Sequence, residues 1–390
     1  MSSLRIGIVG LKCYDHLVGA EVPRYLGGIE TQLAVLAKGL VRQGHEVTVV
    51  TYDHGQGRDT RHDGVRALTS YGPTEGIRLA RAVHPRFTGL RKAMADADAD
   101  IWLQMGGGFE TGLTALCARS LGRPFVFCMA SDANFGDNLT AGPLALEGRA
   151  YRFGLKRAAA VIAQTERQQR GLEHATGIRS TIIPMAIIPP AGEAVVDGKP
   201  HVLWVGRIMP SKRLDWLIHA AQRMPEVVFD VVGTPNHSCD QARAQMETAR
   251  QLPNMRVHGR APASVLASLY AGASLLACTS ELEGFPTTFL EAWSIGLPVV
   301  TTFDPDDTVA SHGLGEVAGD RGDFEARLSA LVRDESRREA AAARVRAYFQ
   351  QHHSVERVCE GFGAMLREVA RGDRRQEVRQ PPRQVPVPKS

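Results

Sequence analysis

Two glutamates, Glu283 and Glu291, stand at either end of a segment that leaves an apolar, strand-like run and enters a helical pattern. Gly284 permits a turn that other residues resist, and Pro286 suits the first turn of a helix. The free N–H groups at such a helix start can bind an anion or the hydroxyl groups of a sugar. The segment therefore offers acids and backbone donors at one strand end.

Spacing alone leaves a plainer interpretation open, in which Glu283 is a solvated loop acid and Glu291 belongs to a charged helix face. A glycosidase pair is a third interpretation, but a fully helical connection would separate the two carboxylates by roughly 12 Å, at about 1.5 Å per residue. A retaining glycosidase needs about 5–5.5 Å between its carboxylates. The spacing therefore argues against a glycosidase unless the loop folds back.

Positive groups are expected at a second strand end, in the segment from Val205 to Asp215. Arg207 can hold a phosphate through two parallel hydrogen bonds, and Lys212 supplies a mobile point charge. Ser211 suits the N-cap of the helix that follows, and the start of that helix adds its positive dipole end. Solvated surface cations in a loop are the alternative, and spacing alone does not separate the two interpretations.

A glycine pair, Gly27 and Gly28, precedes a helical pattern in the first half of the chain. Glycines at a helix start let a ligand approach the backbone closely, although many helices begin this way. The pattern G-x-G-x-x-G is missing from the loop after the first strand of either half. A dinucleotide-dependent oxidoreductase is therefore disfavoured.

The elements that must position these motifs alternate between strand and helix patterns in both halves of the chain. The predicted strands are Arg5–Gly10, Glu46–Thr51, Asp100–Gln104, Pro124–Met129, Ala159–Ala163, Ser180–Pro184, His201–Gly206, Val227–Val232, Met255–His258, Ser274–Cys278 and Pro298–Thr301. This alternation predicts an α/β protein with a parallel sheet covered on both faces in each half. Ligands of such sheets bind beyond the carboxyl ends of the strands, where the motifs fall.

We predict two domains, over residues 1–190 and 191–371, because 390 residues are too many for one ordinary domain. The stretch from Ile187 to Gly192 breaks the periodicity and is the predicted linker. The last helix of the C-terminal domain can pack back on the N-terminal domain. Residues 372–390 are rich in Arg, Gln and Pro without a hydrophobic period, which predicts a disordered tail.

Composition and charge exclude several classes of protein. Hydrophobic residues make up 44% and charged residues 23% of the chain, as in soluble globular proteins. No apolar run reaches the length of a membrane span and no signal-peptide core follows Met1, so we expect a cytoplasmic protein. The six cysteines lack C-x-x-C spacing, which argues against a structural zinc or a disulfide framework. The net charge of +4 is too mild to indicate nucleic-acid binding.

In this order, the motifs resemble those of GT-B-fold glycosyltransferase family 4, the group-1 glycosyltransferases, over most of the chain. The matching residues are Gly27, Gly28 and Glu30 for a Gly-Gly-x-Glu loop, Gly206, Arg207 and Lys212 for a Gly-Arg-x(n)-Lys segment, and Glu283 to Glu291 for an E-x₇-E motif. The resemblance implies two Rossmann-like domains whose parallel sheets face each other across a cleft. The N-terminal domain would serve the acceptor and the C-terminal domain the nucleotide-sugar.

The resemblance also implies a retaining enzyme that moves a sugar from a nucleotide-diphosphate sugar to an acceptor hydroxyl, with no metal and no other cofactor. Arg207 and Lys212 would hold the donor diphosphate and neutralise it as it leaves. Glu283 would contact the donor sugar, and Glu291 the ribose hydroxyls. The other donor-binding candidates are Gly27, Gly28, Gly206, Gly284, Phe285, Pro286, Thr287 and Thr288.

Two departures from the family pattern fall on the acceptor side. Many members carry a histidine after the strand that corresponds to Pro124–Met129, whereas this chain has no histidine there. Asp132 is the catalytic candidate for this place, with the Ser131 hydroxyl as its alternative, and Asp132 could equally cap the next segment. The segment from Pro184 to Ile187 stands where many relatives carry Asn-Gly.

The expected partners are a nucleotide-sugar donor and a glycan or lipid-linked acceptor, without nucleic acid, in bacterial glycan or polysaccharide biosynthesis. Basic residues between Ile77 and Met94 could rest on an anionic membrane, although an ordinary solvated helix face explains them better. They are Arg78, Arg81, Arg86, Arg91 and Lys92. The alternatives are a non-catalytic GT-B scaffold, which the missing histidine favours, and a GT-B nucleotide-sugar epimerase.

Overall fold

The computed structural model describes residues 3–25, 27–76, 82–135, 145–194, 198–236, 239–281 and 283–372. The chain divides into two units, of which the first comprises Met1–Met185 with the segment that begins at Val355, and the second comprises Ala186–Ser354. Each unit contains one sheet flanked by helices, so the predicted α/β class is confirmed.

Within the described residues, the first unit contains eight strands, β1 to β8, at Arg5–Val9, Glu46–Thr51, Asp59–His62, Val65–Thr69, Ile101–Met105, Phe125–Cys128, Ala160–Ala163 and Thr181–Ile182. Its helices α1 to α6 are Tyr14–Leu17, Gly28–Arg42, Thr88–Ala97, Phe109–Ser120, Ala145–Arg157 and Glu166–Thr176. The strands form one sheet in the order β3-β4-β2-β1-β5-β6-β7-β8. Only β3 runs antiparallel to its neighbour.

The second unit contains six described strands, β9 to β14, at His201–Val205, Val228–Val232, Met255–Gly259, Leu275–Cys278, Val299–Thr301 and Gly315–Val317. Its helices α7 to α13 are Leu214–Arg223, Asp240–Gln251, Ala263–Gly272, Thr287–Ser294, Thr308–His312, Arg321–Arg333 and Glu335–His352. The parallel sheet has the order β11-β10-β9-β12-β13-β14, which is the strand order of a Rossmann sheet. The strands β4-β2-β1-β5-β6-β7 of the first unit repeat this order.

Side-chain size is matched between neighbouring strands of the first sheet. β1 and β5 pair with Gly7 beside Trp102, a side chain with no exposed surface. A Cβ on Gly7 would lie 2.5 Å from the Trp102 ring, so glycine leaves the room that this indole needs. Burial of so large an aromatic side chain stabilises the centre of the sheet through its apolar area.

All eleven predicted strands are confirmed, with ends that differ by at most two residues. The sequence patterns do not predict β3, β4 or β14. Asp63 and Gly64 join β3 to β4 with φ values of 49° and 82°, the left-handed pair that an Asp-Gly hairpin turn requires. The Asp-Gly dipeptide could therefore have predicted the hairpin. The three residues of β14 are too few to show the alternation of apolar and polar residues that predicts a strand.

The division between the units falls after Met185 and not at residue 190 as predicted. The predicted linker belongs to the second unit, because Gly192 packs directly against the backbone of Ala267 in α9. Residues 373–390, which make up all but the first residue of the predicted tail, lie outside the described residues.

The last helix, α14 at Val355–Arg371, belongs to the first unit. It packs on α2 at Gly39, where a side chain would overlap the Cys359 sulfur and the Val355 methyl groups. Cys359 is fully buried in this contact. Gly39 therefore allows α14 to pack closely on α2 within the first unit.

Helices α4 and α5 meet with their backbones in contact at Gly112 and Gly154. A Cβ on Gly154 would lie 2.5 Å from the carbonyl oxygen of Thr111, a backbone atom that cannot rotate away. We expect Gly154→Ala to lower the free energy of unfolding by about 2 kcal/mol, because overpacking outweighs the helix-propensity gain of roughly 1 kcal/mol. Urea unfolding followed by circular dichroism measures the change.

Gly361→Ala in α14 is the matched control for this substitution. Its Cβ would lie 3.5 Å from the Ile183 side chain, which is an ordinary contact distance. Gly361→Ala should leave the free energy of unfolding unchanged or raise it by up to about 1 kcal/mol. Equal stabilities of the two variants would contradict the close packing of α4 and α5.

Candidate functional site

The loop after β9 is fixed by the loop after β10. The Ile208 N–H donates to the carbonyl of Thr234 at 3.0 Å. Gly233 has a φ of 152°, and any side chain there would overlap the carbonyl oxygen of Gly206. Glycine at this position lets the two loops close on each other. The Arg207 side chain is exposed on the loop that they support.

Arg213 ties together three loops at the carboxyl edge of the second sheet. Its left-handed φ of 47° ends the 3-10 turn Pro210–Lys212 and begins α7. Its guanidinium donates to the carbonyls of Thr279 at 2.9 Å and Ser280 at 3.2 Å and to Oγ1 of Thr302 at 2.9 Å. The rigid fork of donors makes arginine suited to this task. Sequence patterns assign Arg213 no role, since its partners follow two later strands.

Lys212 and Glu283 form an ion pair that joins the two motifs predicted at separate strand ends. Their side chains are only 21% and 20% exposed. The Ser280 hydroxyl donates to the Glu283 carboxylate at 2.7 Å, and the Thr279 hydroxyl donates to the Lys212 carbonyl at 2.6 Å. Salt screens such a partly buried pair much less than a surface pair. The edge of the sheet thus holds a cation and an acid side by side.

Pro286 is the N-cap of α10, with φ −67° and ψ 121°, and not a residue of its first turn as predicted. Because its ψ is extended, Pro286 is not helical, and α10 begins at the next residue, Thr287. The ring of Phe285 packs on Trp293 and His353, with centroid distances of 6.0 and 5.2 Å. These ring contacts anchor the loop after Glu283.

Gly284, Thr287 and Thr288 are partly exposed beside the start of α10. The first N–H groups of a helix lack partners within the helix and lie at the positive end of its dipole. This helix start is therefore suited to an anion or to sugar hydroxyls, as the sequence predicted. The binding candidates of the second half all lie at the carboxyl edge of one sheet.

Glu291 of α10 accepts a hydrogen bond from the Tyr270 hydroxyl of α9 at 2.6 Å. Tyr270 is fully buried, and burial with the neighbouring carboxylate raises its pKa. Burial raises the pKa of Glu291 to about 7, and the Tyr270 hydrogen bond offsets only part of this effect. Glu291 is therefore not the residue of a solvated helix face. Sequence reasoning missed Tyr270, because it lies on the preceding helix in an apolar stretch.

In the first unit, Gly27 is the N-cap and Gly28 the first residue of α2. A Cβ on Gly106 would lie 2.8 Å from the Ile29 side chain, so the start of α2 lies beside the loop after β5. The Glu30 carboxylate lies over Gly27, where any side chain would displace it. The glycine pair is thus at the carboxyl edge of the first sheet, where it was predicted.

Asp132 begins a 3-10 turn, Asp132–Asn134, after β6. Its carboxylate forms an ion pair with Nε of Arg167 at 2.7 Å, and its side chain is 11% exposed. Ser131, and not Asp132, is the N-cap of this turn. The Asn134 side chain accepts the N–H groups of Ala130 at 2.8 Å and Ser131 at 3.2 Å, which fixes this loop.

The basic segment considered for membrane contact is only partly described, since Arg78 and Arg81 lie outside the described residues. Arg86 lies over an aromatic ring, 5.9 Å from its centroid, and Arg91 donates to the Ser120 hydroxyl at 3.0 Å. Among the helices that the structure describes, none combines the length and the apolar composition needed to cross a bilayer.

Two protein-family models match the chain. The model described as a glycosyl transferase 4-like domain matches residues 27–191, and the model described as glycosyl transferases group 1 matches residues 199–346. The first match includes the glycine pair and the Asp132 loop. The second includes the paired Lys212 and Glu283, as well as Glu291.

Characterised relatives are similar over much of the chain. It is 28% identical to the GDP-mannose-dependent alpha-mannosyltransferase of Mycobacterium tuberculosis over an alignment of 350 positions, which covers 82% of this chain and 88% of that protein. It is 26% identical to the GtfA subunit of the UDP-N-acetylglucosamine–peptide N-acetylglucosaminyltransferase of Streptococcus gordonii over 205 residues. The second match spans 49% of this chain and only 40% of that relative.

Solved structures are similar in fold. The sucrose-phosphate synthase of Thermosynechococcus elongatus matches with a TM-score of 0.73 and 16% identity, over 94% of this chain and 99% of that one. The Anabaena protein HepE, in complex with UDP and glucose, matches with a TM-score of 0.72 and 17% identity, over 93% of this chain and 99% of that one. At this identity the likeness concerns the fold alone.

From the raised pKa of Glu291 we predict how the stability of the protein depends on pH. Its pKa is 4.5 in an unperturbed chain and about 7 in the folded protein, so the folded state binds the extra proton between these pH values. Stability contributed by this group therefore falls as pH rises through that window, and the full cost is present above it. We expect Glu291→Gln to raise the Tm by roughly 5 °C at pH 8 and much less at pH 5.

Differential scanning fluorimetry of the unliganded protein across this pH range measures the difference. Glutamine keeps an oxygen for the Tyr270 hydroxyl, so only the charge is removed. Glu339→Gln, at an exposed position of α13, is the control and should leave the pH profile of the Tm unchanged. A Tm gain that does not vary with pH would show that Glu291 is not a buried acid of high pKa.

Proposed function

Because the chain belongs to the group-1 glycosyltransferases of family 4, which have the GT-B fold, we propose that it is a retaining, metal-independent enzyme. It is a glycosyltransferase with a nucleotide-diphosphate sugar as donor. Its acceptor is a hydroxyl of a glycan or a lipid-linked sugar, its place is the cytoplasm, and its role is bacterial glycan or polysaccharide biosynthesis. Relatives named as mannosyl- and N-acetylglucosaminyltransferases support this assignment.

The contact between Lys212 and Glu283 is the observation that carries the proposal. In a nucleotide-diphosphate sugar, the terminal phosphate is bonded directly to the anomeric carbon. Groups that bind this phosphate and this sugar must therefore be neighbours. Lys212 and Glu283 are neighbours although they lie 71 residues apart in the chain. In the proposed complex, Lys212 binds the phosphate and Glu283 binds a sugar hydroxyl.

Three sources of positive potential would stabilise the leaving diphosphate: Arg207, Lys212 and the first N–H groups of α10. Negative charge grows on the phosphate oxygen as its bond to the anomeric carbon breaks. Positive groups placed there bind the transition state more strongly than the ground state. They take the part that a metal ion plays in other phosphate sites, which is why we propose a reaction without a metal or another cofactor.

The acidic run after β13 supports this view. Asp304 accepts the N–H of Val309 at 2.7 Å and that of Ala310 at 3.0 Å. Burial raises the pKa of Asp304, and the neighbouring Asp306 and Asp307 add to this effect. Both oxygens of the Asp304 carboxylate are therefore engaged by the first turn of α11, which supports the proposal of a reaction without a metal.

We propose that the acceptor hydroxyl attacks the anomeric carbon on the face from which the phosphate departs. The bond from the anomeric carbon to the phosphate oxygen breaks, and the bond to the acceptor oxygen forms on the same face. The hydroxyl proton passes to the departing phosphate oxygen. The products are a nucleoside diphosphate and a glycoside of unchanged anomeric configuration. The Glu283 carboxylate, engaged by Lys212 and Ser280, binds and does not act as a nucleophile.

The remaining candidates divide between donor and acceptor. Burial raises the pKa of Glu291, and hydrogen bonds to its charged form would stabilise that form. The ribose hydroxyls of the donor would supply these hydrogen bonds. Asp132, oriented by Arg167, would act on the acceptor side. Contact of the first unit with a membrane that carries a lipid-linked acceptor belongs to the same proposal.

Replacement of Lys212 by methionine tests the proposal. Methionine keeps most of the length of the side chain and removes the charge, so we expect kcat to fall about 100-fold, as when one transition-state donor is lost. The measurement is nucleoside-diphosphate release from UDP-, GDP- and ADP-sugars, after a thermal-shift screen with UDP, GDP and ADP has identified the base. Product configuration is read by NMR of the anomeric proton.

Arg250→Met is the matched control, since Arg250 is a surface cation of α8 paired with Glu247. It should keep kcat within about twofold. Tight nucleotide binding without turnover of any donor would identify a non-catalytic scaffold. Isomerisation of the donor sugar without an acceptor would identify an epimerase. An inverted product would refute retention.

A further inference from the structure

A cavity of about 360 Å³ opens at the amino edge of the first sheet. Leu4, Asp100 and Pro124 line it, and they directly precede β1, β5 and β6. Another wall comes from α14, through Arg367 and Ala370. Small-molecule sites have volumes of about 300–1,000 Å³, so a small ligand fits. Because Rossmann sheets bind their ligands at the carboxyl edge, this cavity lies apart from the proposed sugar transfer.

The charged side chains of this cavity are mostly cationic. Its lining includes Arg123, Arg367 and Arg371, and Asp100 is the one acid among the lining residues that the structure describes. Arg5, which lies outside the lining, engages both oxygens of Asp100: its Nη2 donates to Oδ1 at 2.6 Å and its Nε to Oδ2 at 3.3 Å. The wall therefore favours an anionic ligand.

A buried histidine beside the cavity faces two donors. His45, the residue before β2, is 5% exposed. The backbone nitrogen of Leu4 lies 3.1 Å from its Nδ1, and Nη1 of Arg367 lies 3.2 Å from its Nε2. A neutral imidazole accepts at one nitrogen and donates at the other, and a protonated one accepts at neither. Whichever tautomer is present, His45 can serve as acceptor for only one of these two groups.

The group left without an acceptor is Arg367, because its side chain can rotate whereas the Leu4 backbone is fixed. The Glu46 N–H donates to the Leu4 carbonyl at 3.0 Å and holds that backbone beside β2. Within the described ranges, the Arg367 guanidinium has no carboxylate partner, and its one polar contact is with His45. An anion in the cavity would supply the missing acceptor.

We propose that this cavity is a second ligand site, which binds a phosphate monoester through Arg123 and Arg367. Nη2 of Arg123 donates to Asp98 at 3.1 Å, and the other N–H groups of its guanidinium remain for a ligand. A phosphate monoester has a charge of about −1.5 to −2 near pH 7 and three accepting oxygens, which suit the parallel donors of guanidinium groups. The same phosphate occurs in small metabolites and in the headgroup of phosphatidic acid.

Isothermal titration calorimetry of the full chain with glycerol 3-phosphate tests the inference, and glycerol is the uncharged control. We expect glycerol 3-phosphate to bind and glycerol not to bind. Arg367→Met should weaken binding about tenfold, because charge-assisted hydrogen bonds are lost. Arg357→Met removes the same charge from an exposed position of the same helix and should change the affinity by less than about twofold. Absence of binding, or equal effects of the two substitutions, would overturn the inference.

Two substitutions of Ala370 test the charge of the wall without removing Arg367. Ala370→Glu adds a carboxylate to the lining and should weaken binding about tenfold. Ala370→Gln adds a side chain of nearly the same size without the charge, and should weaken binding no more than about threefold. Equal losses in both variants would show that the cavity does not select an anion, and would contradict the proposal.

Vesicle flotation separates the two sources of the phosphate. The vesicles contain phosphatidylcholine, with or without phosphatidic acid. Flotation that requires phosphatidic acid and is lost in Arg367→Met would identify a lipid headgroup as the ligand. Binding of glycerol 3-phosphate without such flotation would identify a small molecule. Both results support a phosphate site, whereas flotation and calorimetry that are both insensitive to Arg367→Met would refute it.

The proposed donor site also binds phosphate groups, and Lys212→Met distinguishes it from the cavity. This substitution should weaken binding of a nucleoside diphosphate and leave that of glycerol 3-phosphate within about twofold, since Lys212 belongs to the second unit. Binding of glycerol 3-phosphate that depends on Lys212 and not on Arg367 would place this phosphate at the donor site. That result would overturn the inference and leave the proposed function intact.

Discussion

The ion pair of Lys212 and Glu283 depends on the pairing of two strands that are distant in the chain. β12 lies beside β9 in a fixed register, with Leu276 opposite Leu203. The indole of Trp204 donates to the Thr279 hydroxyl at 3.1 Å, and this hydroxyl donates to the Lys212 carbonyl at 2.6 Å. A slip of one residue would turn every side chain of β12 to the other face. The chemistry at this edge therefore depends on the register of the sheet.

The second unit also contains an acid whose burial has an electrostatic cost. Glu291 accepts a hydrogen bond from Tyr270, and its pKa, which burial raises to about 7, reflects the cost of its charge in the unliganded protein. Ligand hydroxyls that donate to the carboxylate would recover part of this free energy. Phe285 instead contributes to stability, because its ring packs on Trp293 and His353 and keeps the neighbouring backbone in place. Phe285 thus stabilises the loop, whereas Glu291 is proposed to bind a ligand.

The sequence predicted the α/β class, the inner strands and the place of each motif at a strand end, since these depend on local periodicity and turn chemistry. It did not predict Arg213, Tyr270 or Gly233 as parts of the site, because their importance arises from partners that are far away in the chain. The hairpin of β3 and β4 was accessible through its Asp-Gly turn. The boundary at Met185 was not, because Gly192 has the sequence character of a linker and yet packs on Ala267.

The two units share a strand order, and each places polar groups and helix starts at the carboxyl edge of its sheet, yet the side chains at the two edges differ in charge. In the second unit, Arg207, Lys212 and a helix start offer donors and positive charge. In the first unit, Glu30 and Glu110 add carboxylates beside the starts of α2 and α4. Because the strand order is shared, the side chains that follow each strand, and not the sheets, determine the charge of each edge.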